Sequence, residues 1–176
     1  MSSQLFRVTA DDMDMTSLVE AWMPDQKQLL NAVRTATRKT LRWARTIAVR
    51  EIRAETGLPA AILRDRISIH LTNSNGKLSA RMFFGLRPIP ASQLRPRQGK
   101  AGVQTNGAGL IRGAFLVDMG SHDGVFKRVG KERYPLAYQR IHIHKQAERV
   151  IKGEILPNWQ GVFLKVLEQE LKWRTR

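Results

Sequence analysis

An α+β fold, built as a long amphipathic helix packed on a small antiparallel sheet of hairpins with a long Pro/Gly-rich basic loop and a C-terminal helix, is predicted by three features of this 176-residue chain. An apolar period of about 3.6 residues runs unbroken from Gln26 to about Thr56. Two-residue alternation appears at Arg66–Thr72 and again at Gly113–Asp118, each time followed by turn chemistry and a returning apolar run. The helical period then reappears from Pro157 to Trp173.

Taken in order, Leu5–Thr9 reads as a short strand, followed by the acidic patch Asp11, Asp12 and Asp14 and a short helical stretch ending near Met23 and Pro24. Residues 1–24 are read as an N-terminal extension, and 25–176 as a single α+β domain. Asp25 is placed to cap the long helix. On that helix Leu29, Leu30, Val33, Ala36, Leu41, Ala44, Ile47 and Ala48 share one side. Arg34, Arg38, Arg42, Arg45 and Arg53 form a stripe on the other, with only Glu51 and Glu55 for local relief. Gly57 stops the helix, and Pro59, whose fixed φ suits a first turn, opens a short one through Leu63.

In the first hairpin Ile67, Ile69 and Leu71 point inward while Arg66, Ser68, His70 and Thr72 point outward. The Asn75-Gly76 step is a strong turn signal, and Leu78–Phe84 returns. Residues 86–110 change character: Pro88, Pro90, Pro96, Gly99, Gly102, Gly107 and Gly109 interrupt any regular period, and Arg87, Arg95, Arg97 and Lys100 add charge. This segment is expected to be an extended basic loop, ordered by a partner. Phe115 and Val117 then alternate with Ala114, Leu116 and Asp118. Gly120–Gly124 turns the chain, and Val125–Val129 returns with Lys127, Arg128, Lys131 and Arg133 at and beyond its end. IHIH alternates again within Tyr134–Lys145, and Trp159, Phe163, Val166, Leu167, Glu170 and Leu171 lie at helical spacing in the last element.

The net charge of +15 sets the class of partner. Self-repulsion on that scale calls for a standing negative neighbour, with nucleic acid the first candidate and acidic protein or anionic lipid behind it. No unbroken apolar run reaches the roughly 18 residues of a membrane span, so no membrane partner is expected. The start, MSSQLFRVTADD, lacks the order of a secretory signal, and the absence of cysteine excludes disulfides and thiolate metal sites, which fits cytoplasmic synthesis.

No catalytic, cofactor or metal residues are assigned. His142 and His144 on one strand would face the same way, but a zinc site needs further ligands that the neighbourhood does not supply. Ser121, His122 and Asp123 are adjacent in a turn and do not aim at one another as a triad does. GKAGVQTNGAG lacks the phosphate-loop spacing and its Lys-Ser or Lys-Thr ending. No carboxylate pair is set for acid and base work. Trp22, Trp43, Trp159 and Trp173 read as core or interface residues, not interleaved with the loop cations as a single-strand platform requires. Glu55–Ile67 suggests half of a helix-turn-helix, but its first helix is too long and a strand follows at once.

Three segments in order resemble the minor tail protein Z family of long-tailed bacteriophages, the tail completion proteins. They are the basic helix leading into TGLPAAILRDRISI, the Pro/Gly segment after ARMFFGLRPIPASQL, and GAFLVDMGSHDGVFKRVGKERYP, together covering roughly residues 26–135. Residues 1–24 and RIHIHKQAERVIKG lie outside the likeness. The resemblance implies a non-enzymatic virion protein of the tail or neck, assembled in the host cytoplasm without a cofactor. It implies a homo-oligomeric ring, expected as a hexamer, joined to the tail terminator and to tail tube or neck proteins, with genomic DNA passing non-specifically through its lumen.

A ring of that kind presents cations without base-reading pairs, so transit is not arrested. Arg34, Arg38, Arg42, Arg45, Arg95, Arg97, Lys100, Lys127, Arg128, Lys131 and Arg133 are the expected polyanion or subunit contacts. Hairpin edge strands are expected to join sheets between neighbours. A nonspecific nucleic-acid-binding protein is the alternative reading, and a helix-turn-helix regulator the third.

Overall fold

The unbroken helical period becomes α1, Gln26–Thr56, in a computed structural model that describes residues 4–9, 26–74, 77–118, 120 and 123–174. Its inner face buries Ala32, Val33, Ala36, Leu41, Ala44, Ala48, Val49 and Ile52. Leu30, expected on that face, is 48% exposed. Adjacent helical residues lie about 100° apart; here Leu29 is the one packed on the core and Leu30 is turned toward solvent. Gly57 ends the helix at φ 69° and donates its N–H to Arg53 O (2.8 Å). After Pro59, α2 spans Ala60–Asp65 and runs straight into a strand. The acidic patch, Trp22, Met23, Pro24 and the Asp25 cap lie outside the described residues.

Three antiparallel strands, β1 (Gln4–Thr9), β2 (Ile67–Ser74) and β3 (Lys77–Phe84), form a sheet in the order β1-β3-β2. The predicted alternation holds, since Ile67 pairs with Phe84, Ile69 with Met82 and Leu71 with Ala80. Ile67, Ala80, Met82 and Phe84 are buried in the main core with the second half of α1. The Asn75-Gly76 turn lies outside the described residues.

The segment 86–110 is not a loop, which corrects the sequence reading. It contains β4 (Ile89–Pro90), a 3₁₀ turn (Ala91–Leu94), β5 (Arg97–Gly99), β6 (Gly102–Thr105) and the start of β7 (Gly109–Arg112). Strands β5-β6-β7 form one antiparallel sheet, and β8 (Ala114–Asp118), β9 (Asp123–Arg128) and β10 (Leu136–Tyr138) form another. β11 (Arg140–Ile141) returns to pair with β4, so the chain enters and leaves this β module at adjacent points. The glycines that looked like breakers sit at strand ends, Gly99, Gly102 and Gly109, or in a turn, Gly107. At Gly102, φ is 147° and a Cβ would fall on the Ile111 carbonyl oxygen and 3.0 Å from Arg112 Cα, so only glycine lets β6 lie this close to β7.

Ala91, Val103, Ala114 and Val125 make a second small core between the two sheets, with Ile111 and Leu116 packed on it. Gln98 stitches the sheets, its Oε1 accepting from Leu116 N (2.9 Å). The β8–β9 turn follows the predicted chemistry, with Gly120 N–H donating to Asp118 Oδ1 (2.7 Å); Ser121 and His122 lie outside the described residues. Val129, read as the end of the returning strand, is 66% exposed in the next turn.

IHIH is likewise not a strand beyond Ile141. His144 opens α3 (His144–Val150), which continues through a π-helical turn (Ile151–Ile155) into α4 (Leu156–Arg174). The two histidines therefore do not share a strand face. Pro157 lacks the N–H of a normal turn, and its ring would crowd the Gly153 carbonyl; the wider turn, in which Leu156 N–H reaches Ile151 O, accommodates it. A helix the sequence divides at Gly153 and Pro157 is thus continuous.

This helix lies antiparallel to α1. Arg149 pairs with Glu55 (3.1 Å) at one end, and Lys39 with Glu170 (2.6 Å) toward the other, where Arg174 Nη2 reaches Thr35 Oγ1 (3.5 Å). Around and beyond the Lys39–Glu170 pair, Ala32, Val33 and Ala36 pack with Phe163, Leu167 and Leu171. Trp43 and Trp159 pack at core margins, while Trp173 is 71% exposed and belongs to no core.

Glu170 is a buried carboxylate, at 8% exposure, held between Lys39 and Arg174. Glu170→Ala is expected to lower unfolding stability by about 2 kcal/mol, because it strands the half-buried Arg174. Glu168→Ala, whose side chain is 58% exposed in its pair with Lys172, should cost far less, because solvent screens that pair. Equal losses in chemical denaturation would contradict the assignment.

Candidate polyanion-contact surface

The candidate cations fall into two groups, on α1 and on the β module. Arg34, Arg38 and Arg42 stand exposed on the outer side of α1. Arg45 does not stand free with them: its Nη2 donates to Arg64 O (2.8 Å), and its Nε is buried without a partner, so it anchors the end of α2. On the module, Arg95 closes the 3₁₀ turn in the left-handed region at φ 48° and ψ 62°, an unusual conformation for a residue other than glycine. Arg97 lies on β5 opposite Gln104, and Lys100 in the β5–β6 turn. Lys127 and Arg128 end β9, and Lys131 and Arg133 occupy the turn to β10. All of these module cations are exposed.

Ion pairing is partitioned unevenly between the two parts of the fold. Every ion pair found between described residues lies on α1, α3, the π turn or α4: Lys39–Glu170, Arg50–Glu51, His144–Glu148, Arg149–Glu55, Lys152–Glu148, Lys172–Glu168 and Arg174–Glu170. The hydrogen bond and charge of Lys152 hold Glu148 below the usual carboxylate range, and Lys172 does the same for Glu168. On the module only Asp118, Asp123 and Glu132 are acidic, and none of its cations enters an ion pair among the described residues.

One group of residues escaped the sequence reading. In the β10-β9-β8 sheet Phe115 lies opposite Phe126, and Phe126 opposite Tyr138, so three rings line up across three strands. Their neighbours Ala114, Leu116 and Val125 face the module core, which puts the rings on the opposite face. There they are half-exposed. The Arg128 guanidinium carbon sits 5.8 Å from the Phe115 ring centre, and that of Arg140 sits 5.3 Å from Tyr138. Arg133 stands 5.7 Å from Tyr134, itself 64% exposed. The signal was in the alternation of Phe126 with Arg128 and of Tyr138 with Arg140, but only the strand register turns it into a row.

Among the described residues no group of three or more His, Cys, Asp or Glu is placed to hold a metal ion, and no helix is long and apolar enough to cross a membrane. The apolar gap between Ile52, Leu63, Phe84 and Ile143 holds about 10 Å³, room for one water at most. The arrangement defines an α+β protein in which the ion pairs found between described residues lie on the helical hairpin, while the cationic β module carries none of them. No protein-family model, curated protein or solved structure matches the chain.

Proposed function

We propose that the chain is a structural protein of a long-tailed phage virion, a tail completion or minor tail protein at the neck or tail end. It acts as part of a homo-oligomeric ring joined to the tail terminator and tube, with DNA passing through. One observation carries the reading: the ion pairs found between described residues all lie on the helices, while the module presents cations that enter none of them. Such a surface is suited to loose contact with many phosphates or carboxylates and to no single small molecule. The long helix against an antiparallel sheet fits the family likeness at residues 26–135. The reading involves no catalytic step, metal or cofactor.

The chain should be found in purified particles, and native mass measurement of the isolated protein, alone and with the terminator, should give a closed ring. Its complete absence from particles would remove the proposal. The runner-up, a nonspecific nucleic-acid binder, rests on the same cations and is tested on the isolated chain with duplex DNA. Changing Lys127, Arg128, Lys131 and Arg133 together to Gln should reduce the log–log salt slope by roughly three to four. The same change at Arg34, Arg38 and Arg42 reports what the helix stripe adds. An unchanged slope in both variants excludes these groups from phosphate contact.

A further inference from the structure

From the outer face of the β10-β9-β8 sheet we infer that this protein binds single-stranded nucleic acid, stacking unpaired bases on Phe115, Phe126 and Tyr138 and setting phosphates against Arg128 and Arg140. The inference goes beyond the virion proposal and needs only the isolated chain.

The row is built from the backbone. Antiparallel register places the three side chains directly opposite one another on adjacent strands, about 4.8 Å apart in the pairing direction. The Phe126 and Tyr138 rings lie 5.2 Å apart at 58°, and the Tyr138 hydroxyl is fixed by Ser92 Oγ at 3.0 Å. Val117 and Leu136 share this face and, like the rings, are half-buried. An apolar sheet face left in water is ordinarily a binding surface.

Charge selects the occupant. A second copy of the same face would set Arg128 and Arg140 against their own like. An acidic protein would answer the guanidinium groups but not the ring faces on which they rest. A nucleotide answers both, because its base has a π face for ring or guanidinium and its phosphate has the charge. A duplex, with its bases paired and stacked, offers the phosphate alone.

The test uses the full chain with oligo-dT of about 16 nucleotides and a duplex of equal phosphate number, titrated over a salt series. The single strand should bind more tightly. Phe126→Leu should weaken it about tenfold with no change in salt slope, and Arg128→Gln should lower the slope by about 0.7. Tyr138→Leu repeats the first test should Phe126→Leu fail to fold, and ultraviolet crosslinks on the unaltered protein should map to Phe115, Phe126 or Tyr138. Equal or tighter duplex binding, an unaltered affinity in folded Phe126→Leu, or crosslinks confined to the α1 stripe would overturn the inference. So would displacement of the ring-dependent binding to an acidic polypeptide, or dimerisation through this face. The mass and particle experiments are independent of all these outcomes.

Discussion

Gly107→Ala is expected to cost about 3 kcal/mol of unfolding stability, while Gly109→Ala, two positions along, should cost only about 1 kcal/mol. Both glycines have positive φ, 104° at Gly107 and 72° at Gly109, so both substitutions carry a conformational penalty. They differ in what surrounds them. A Cβ at Gly109 meets nothing within 4 Å, whereas one at Gly107 falls on the Gly57 carbonyl oxygen, with Gly57 C and Leu58 Cα at 2.9 Å. The reverse also holds, because a Cβ at Gly57 would sit 2.6 Å from Gly107 O. The end of α1 and the β6–β7 turn therefore touch backbone to backbone. Backbone cannot step aside as a flexible side chain can. Urea midpoints at constant slope measure both variants; similar values would show that the contact is not close in solution.

Leu167→Ala is expected to lower stability by about 3 kcal/mol, against less than about 1 kcal/mol for Leu164→Ala. Leu167 is 3% exposed in the contact between α1 and α4, and Leu164 is 39% exposed one turn away. The α1 side of that contact is mostly Ala32 and Ala36, so Phe163, Leu167 and Leu171 supply the bulk. Little nearby can collapse into the space, and the cost lies in the upper part of the usual range. Hydrogen exchange should show lost protection spreading along α4 before it reaches β2 and the Ala80–Phe84 end of β3, whose buried residues belong to the other core. Uniform loss across the chain would mean the two cores unfold as one.

What could be read in advance follows from how far each periodic signal extends. α1 has 31 residues over which its apolar face repeats, and its bounds were legible, as were the inward Ile67, Ile69 and Leu71. Strands of two to four residues, such as β4 and β6, are too short to show a period, so Pro90, Gly99 and Gly102 read as interruptions when they are turn and edge positions. Ile141 and Ile143 alternate with histidines as a strand would, yet Ile143 is the buried residue at which α3 begins.

The candidate surface divides the same way. Its cations were visible, but the partners that neutralise others were not. Lys39 and Glu170 are 131 positions apart, and only the packing of α1 on α4 decides that this lysine is paired while Lys127 is not. The ring row needed the registers of β8, β9 and β10 together.

Because Ile89 faces Ile141 across the β4–β11 pair, the chain between them begins and ends on one two-stranded stem, with the Gly57–Gly107 backbone contact as a second attachment. The main core draws on that span chiefly through Leu94 and Ala108, so the helices and first sheet hold most of their own interior without it. Such a layout makes the cationic head a detachable cassette: one grafted hairpin turn could replace it while the supporting body is kept. Recognition can thereby diversify at the tip, independently of the frame that carries it.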